Sequence, residues 1–224
     1  MISIAIDGPA GAGKSTIARA IARELGYIYV DTGALYRAIG LFATANGANT
    51  ADAGQVARLL SGVKVELRFV KDEQRVFLNG YDVSEDIRRP EISMAASNVS
   101  AIPEVRTFLF ALQRNMAQEH NVVMDGRDIG TVVLPQAQIK IYLTASPEER
   151  AQRRYEELIA KGHQVDYEKL LEEVKLRDHN DMTRPIAPLK QAEDAVRVET
   201  DGCTLEEAVS KMMKVVKEKL KDAV

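Results

Sequence analysis

Short apolar runs alternate with long amphipathic stretches along the chain. Ile2-Ser3-Ile4-Ala5-Ile6 reads as a buried strand running into a glycine-rich turn. Thr16 to Leu25 then has helical periodicity, closed by Gly26 at the position where a left-handed residue ends a helix. Tyr27-Ile28-Tyr29-Val30 is a second strand ending at Asp31, and Ala34 to Ala45 is helical. Further strands are expected at Asn121-Val122-Val123-Met124, ending at Asp125, at Ile139 to Leu143, and at Ala195 to Val198. A helix from Leu205 to about Leu220 follows. Strands separated by helices predict βαβ units and an α/β fold, with a mostly parallel sheet covered on both faces.

Residues 63–83 break that rhythm. Val63 to Phe69 alternates apolar and polar positions, Lys71-Asp72-Glu73 is a polar turn, and Arg75 to Leu78 runs into Asn79-Gly80, a strong hairpin signal. Tyr81-Asp82-Val83 completes a small antiparallel sheet inserted into the α/β core. Late helix starts are well marked. Ser146-Pro147-Glu148-Glu149 offers an N-cap, a proline at the first helical position and a capping-box glutamate, and Thr204-Leu205-Glu206-Glu207 repeats the box. Cys203, just before it, reads as a small neutral turn residue.

Composition narrows the function. A chain of 224 residues suits one well-buried core with a smaller appended region. The formal net charge of −3 argues against a general nucleic-acid binder but leaves room for a local basic pocket. No apolar run is long enough to span a bilayer. The N-terminus enters a strand at once, without the charged and apolar regions of a signal peptide. The single cysteine, Cys203, forms no internal disulfide, and His120, His163 and His179 have no metal-like spacing. A cytoplasmic α/β protein is expected.

Gly8-Pro9-Ala10-Gly11-Ala12-Gly13-Lys14-Ser15 fits G-x-x-x-x-G-K-[ST] between a strand and a helix that opens at Thr16. Glycines let the backbone curl so that successive N–H groups face one concavity, and the helix terminus adds partial positive charge. Lys14 would carry a full charge to the β- and γ-phosphates of a nucleoside triphosphate, and Ser15 would offer a hydroxyl to Mg²⁺, alongside phosphates and water. Three further clusters bear on the acceptor: Asp31-Thr32-Gly33-Ala34-Leu35-Tyr36-Arg37, Asp125-Gly126-Arg127-Asp128, and Arg177 to Arg184. The first two lie at strand ends, the edge where open α/β sheets bind ligands.

With these residues in view, the chain resembles the bacterial cytidylate kinases, within the nucleoside monophosphate kinases. The markers are Gly8 to Ser15, Asp31-Thr32-Gly33 with Tyr36-Arg37, Asp125 to Val133, and Arg177, Asp181 and Arg184 followed by Ile186-Ala187-Pro188-Leu189. The resemblance implies transfer of a phosphoryl group from ATP to CMP or dCMP with Mg²⁺, within pyrimidine nucleotide metabolism. It implies a P-loop fold with five parallel strands in the order 2-3-1-4-5, and a β insert in the monophosphate-binding region.

The same resemblance suggests roles. Arg37 and Arg127 would grip the CMP phosphate, as forked guanidinium groups suit. Thr32, Arg106 and Asp128 would meet cytosine. A carboxylate accepts from the N4 amino group, whereas uracil presents an acceptor there. Arg177 and Asp181 would meet the sugar and Arg184 the base, with Tyr36 lining the pocket. Read alone, Arg177 and Asp181 could equally be a surface ion pair, and Arg127 and Asp128 could pair with each other. Arg150, Arg153 and Arg154 share one helix face. They are either a solvated face, with Glu149 and Glu157 as partners, or lid arginines for the transferring group, Arg150 and Arg154 foremost.

The expected organisation is a core of 1–32, 84–146 and 185–224, a monophosphate-binding region at 33–83 and a lid at 147–184, in a monomer with no nucleic-acid or membrane partner. Acidic residues on outer helices, such as those within Glu148–Glu157 and Glu168–Glu173, would offset a basic cleft. A kinase for another acceptor and a regulatory NTPase are the rival readings. The carboxylate at the base position opposes the first, and the lack of a switch-loop glutamine or base-reading motif opposes the second.

Overall fold

The computed structural model describes residues 1–70 and 73–223. The expected turn at Lys71-Asp72 lies outside them. The central sheet is built from β1 (Ser3–Asp7), β2 (Ile28–Asp31), β6 (Val122–Gly126), β7 (Ile139–Thr144) and β8 (Val196–Glu199) in the order β2-β6-β1-β7-β8. Counting these five strands alone, the order is 2-3-1-4-5, as expected. A second sheet holds β3 (Val65–Val70), β4 (Glu73–Leu78) and β5 (Tyr81–Asp82), antiparallel throughout. Asn79 and Gly80 both have positive φ, 49° and 86°, the backbone a tight hairpin demands. The helices are α1 (Lys14–Leu25), α2 (Thr32–Ala45), α3 (Ala53–Leu59), α4 (Ile92–Ser100), α5 (Pro103–Glu119), α6 (Pro147–Ala160), α7 (Tyr167–Thr183) and α8 (Leu205–Ala223).

The chain gathers into two compact units, Met1–Tyr29 with Glu119–Val224, and Val30–Gln118. In the first, β1 pairs in parallel with β6 on one side and β7 on the other, and every residue of β1 is buried. That explains why its sequence reads as a continuous apolar run rather than an alternation. Ile4, Ile6, Ile17, Ile21, Leu143 and Met212 anchor its core. A smaller apolar cluster of Ala151, Leu171 and Val174 joins α6 to α7.

In the second unit α2 packs on α4 so closely that a Cβ on Gly40 would lie 3.1 Å from the backbone of Ala95 and Ala96. Leu35, Ile39, Val76, Ile87, Val99 and Leu109 share its core. Residues 84–118, grouped with the sheet in the sequence reading, belong to this core, because the apolar faces of α4 and α5 are shared with α2. The helix predicted from Ala34 starts earlier, at Thr32: Asp31 is its N-cap and accepts from Ala34 N at 2.9 Å. No helix of the described residues is long and apolar enough to cross a membrane.

Candidate active site

The glycine-rich turn leaves the C-terminal end of β1 and opens α1. Gly8 has φ 151°, and a Cβ there would sit 1.9 Å from the Leu143 carbonyl oxygen, so only glycine lets the turn pass over β7. Gly13, at φ 86°, is the N-cap of α1 and supplies no side-chain acceptor. The first N–H groups of α1 are therefore not capped by the preceding side chain, whereas Asp31, Ser146 and Asp166 cap α2, α6 and α7. An uncapped helix start over a curled backbone is what an anionic ligand requires. Lys14 is buried and its Nζ donates to the Pro9 carbonyl at 2.7 Å. Burial, then the nearby Arg127 charge, push its pKa down to about 7, against the pull of Asp125.

Ser15 Oγ donates to Asp125 Oδ2 at 2.9 Å, and Tyr29 OH donates to Asp125 Oδ1 at 3.0 Å. Asp125 closes the apolar run of β6 and so reaches the sheet edge where α1 begins. Asp7 does the same for β1. It is buried, and its two carboxylate oxygens accept from Ile129 N and Gly130 N, both at 2.7 Å. Burial pushes its pKa up to about 7 despite those bonds. These bonds hold the turn that follows Arg127 and Asp128.

Beyond that turn the site arginines meet site carboxylates. Arg127 donates through Nε to Asp181 Oδ2 at 2.8 Å. Arg184 donates to Asp128 Oδ1 at 3.2 Å and to the Ala187 carbonyl at 2.7 Å. Burial alone would raise the Asp181 pKa, but Arg127, Arg177 and Arg184 hold it below the ordinary carboxylate value. The backbone supports the arrangement, because Leu189 N donates to the Asp181 carbonyl at 2.8 Å. Asp181 is 3% exposed, so it is not part of a surface pair, and Arg127 donates to Asp181 while Asp128 accepts from Arg184.

The three arginines of α6 differ. Arg150 is 2% exposed and engages both oxygens of Asp178 on α7, the Ala10 carbonyl and the Ala145 carbonyl. Of the two alternatives for this face, the solvated one does not hold for Arg150: α6 turns it inward against the glycine-rich turn. Arg153 pairs with Glu149, as expected, and donates to the Thr200 carbonyl. Its other expected partner, Glu157, pairs instead with Lys161. Arg154 is half-buried and makes no hydrogen bond or ion pair among the described residues.

The remaining expected ligands lie in the second unit. Thr32 is the first residue of α2 and is buried. The Arg106 guanidinium stands 5.8 Å from the centre of the buried Tyr36 ring and donates to the Ser100 carbonyl at 3.4 Å. Arg37 donates to the Ile87 carbonyl at 3.2 Å.

Asp7, Asp125 and Asp178 were not among the expected ligands. The signal for the first two was present: an acid that ends a wholly apolar strand must find buried donors. Asp178 gave no local signal, because its partner lies on another helix. The acids of the outer helices, Glu156, Glu157, Glu168, Glu172 and Glu173 among them, are exposed as expected, and these three add buried ones beside the cations. Cations this deeply buried require carboxylates beside them.

The family model described as Cytidylate kinase matches residues 4–218. The cytidylate kinase of Caldicellulosiruptor bescii is 50% identical over 223 residues, spanning 100% of this chain and 99% of its own. That of Carboxydothermus hydrogenoformans is 50% identical over 213 residues, spanning 95% and 96%. That of Bacillus subtilis is 47% identical over 218 residues, spanning 97% of each. Among solved structures, shikimate kinase from Bacteroides thetaiotaomicron has a TM-score of 0.48 at 13% identity, over 96% of this chain and 98% of its own. With half its residues shared with such relatives from end to end, the chain belongs to the cytidylate kinase family.

Proposed function

We propose that the protein transfers the γ-phosphoryl group of ATP to CMP or dCMP, giving ADP and the corresponding diphosphate, as a step of pyrimidine nucleotide metabolism. The observation that carries this reading is the joining of phosphate-binding and carboxylate groups in one unit: Lys14 and Ser15 on the turn, with Arg127 held by Asp181 and Asp128 held by Arg184.

The acceptor phosphate of CMP is anionic near neutral pH, so no general base is required. Catalysis is then positioning and charge neutralisation around an in-line transfer. The residues at Gly8–Thr16 bind ATP, with backbone N–H groups and Lys14 facing its phosphates. Arg127 and Arg37 bind the CMP phosphate. Asp128, Arg184, Thr32, Tyr36 and Arg106 contribute to base recognition, and Arg177 and Asp181 to the sugar. Residues 147–184 act as the lid and 33–83 as the monophosphate-binding region. Arg154 brings charge to the transferring group, and closure excludes water that would otherwise accept the phosphoryl.

The donor set fits Mg²⁺. Ser15 Oγ and Asp125 are hard oxygen ligands 2.9 Å apart, and Mg²⁺ is usually held by one or two protein oxygens with substrate phosphates and water. Ser15, with Asp125 beside it, would hold the ion, which would supply positive charge against the phosphates. The reading includes a cytoplasmic monomer, its substrates being soluble nucleotides.

Product analysis tests the reaction. ATP labelled at the γ-phosphate should transfer its label to CDP when CMP is added. Label released only as inorganic phosphate, regardless of CMP, would contradict it.

A further inference from the structure

Helix α7 sends two buried carboxylates in different directions, one turn apart. Asp181 takes Arg127 at the end of β6. Asp178 takes Arg150 on α6, with Arg150 Nη1 to Asp178 Oδ1 at 2.9 Å and Nη2 to Asp178 Oδ2. The same Arg150 Nη1 donates to the Ala10 carbonyl of the glycine-rich turn at 2.9 Å, and Nε donates to the Ala145 carbonyl at 2.9 Å. The stem of Arg150 also lies along the turn, since a Cβ on Gly11 would be 3.4 Å from Arg150 Cβ. Four of the five guanidinium N–H groups of Arg150 are thus engaged, which makes it a strut between the turn and α7.

We infer that Asp178 is a positioning residue for ATP. It fixes the Arg150 fork so that Arg150 holds the Ala10 carbonyl and sets the curl of the turn. A guanidinium fork bound at both tips cannot rotate about its stem, so the geometry at Ala10 is set from α7. Asp178 itself touches neither nucleotide in this account, which rests on the proposed kinase reaction. Its consequence is specific. Although Asp178 stands between Arg177 and Asp181 in sequence, its loss falls on the donor nucleotide and not on the acceptor.

The test is a comparison of Michaelis constants. Asp178→Asn keeps size and one acceptor oxygen while removing the charge. The double variant Arg150→Met/Asp178→Leu removes both charges at similar volume, so that no unpaired charge is buried and folding is retained. Both should raise KM for ATP about tenfold, while KM for CMP at saturating ATP moves less than about twofold. An unchanged KM for ATP in the folded double variant would overturn the inference. So would an equal rise in both constants, which general loosening of α7 would produce. Wild-type protein that releases ADP equally well without CMP would instead contradict the kinase reading itself.

Discussion

Asp181 fixes Arg127 through Nε, at 2.8 Å, and not through the outer edge of the guanidinium. Arg127 Nη1 makes only a long contact, 3.4 Å, to the Gly126 carbonyl, and Nη2 has no hydrogen bond among the described residues. The carboxylate therefore orients the fork and leaves its outer N–H groups for a phosphate. Removing Asp181 both frees Arg127 to rotate and removes the proposed sugar acceptor. Asp181→Ala should raise KM for CMP by at least about tenfold, with KM for ATP changed less than about threefold. Steady-state kinetics with each substrate varied in turn provides the check; a rise confined to ATP would contradict the assignment.

The charge of Lys14 depends on what it binds. With its pKa at about 7, much of it is neutral at pH 8. Phosphates brought against it favour the ammonium form, so ATP binding at pH 8 should take up protons. Calorimetry in buffers of different ionisation heat measures that uptake, and Lys14→Met should abolish it. The same variant should fold, because it removes a charge that burial opposes. Its turnover should fall by roughly 100- to 1,000-fold, the usual cost of losing one electrostatic contact in a transition state. Near-wild-type turnover would remove Lys14 from the chemistry.

Asp7 predicts an inverted pH dependence of stability. Its pKa is 3.8 ordinarily and about 7 in the folded chain. Between those values the folded state binds a proton that the unfolded state has released. Stability from this group is therefore present below about pH 4 and lost as pH rises through about 7, the opposite of a salt-bridged carboxylate. Asp7→Asn replaces one acceptor by a donor facing a backbone N–H, which adds a constant cost but removes the slope. Between pH 5 and 7.5 the wild-type Tm should fall about 5 °C further than that of Asp7→Asn, at roughly 2–4 °C per kcal/mol for a chain of this size. Parallel Tm profiles would contradict the account.

The proposed base contact is Asp128, which accepts from Arg184 through Oδ1 at 3.2 Å. A carboxylate offers only acceptors, and cytosine presents an amino group where uracil presents an oxygen. Asp128→Asn can turn an amide N–H toward that oxygen. The ratio of kcat/KM for CMP to that for UMP should fall about 10- to 100-fold in this variant, the range of one well-placed base contact. A preserved ratio would remove Asp128 from recognition.

The sheet was legible because each of its strands is apolar enough to stand out and because α1 carries a glycine stop and α2 and α6 carry caps. Ser146 and Asp31 cap their helices in the structure, and Gly26 ends α1 in the left-handed conformation. The phosphate-binding turn was legible because its spacing is local. The partners of its residues were not. Asp178 reaches Arg150 from 28 residues away, and Arg127 reaches Asp181 across 54. Side chains on different elements meet through the fold, and helical spacing within α7 pointed instead to a pairing of Arg177 with Asp181. The partners of Arg150 were hidden for the same reason: whether a charged residue on an amphipathic helix faces solvent or a lid is open until the element packed over it is known.

The most direct test of the central claim is the acceptor dependence of ADP release from ATP across CMP, dCMP, UMP, AMP and GMP at matched concentration. The account predicts strong stimulation by CMP and dCMP, weak stimulation by UMP and none by the purine monophosphates. ADP release that is independent of acceptor, or led by a purine monophosphate, would contradict it.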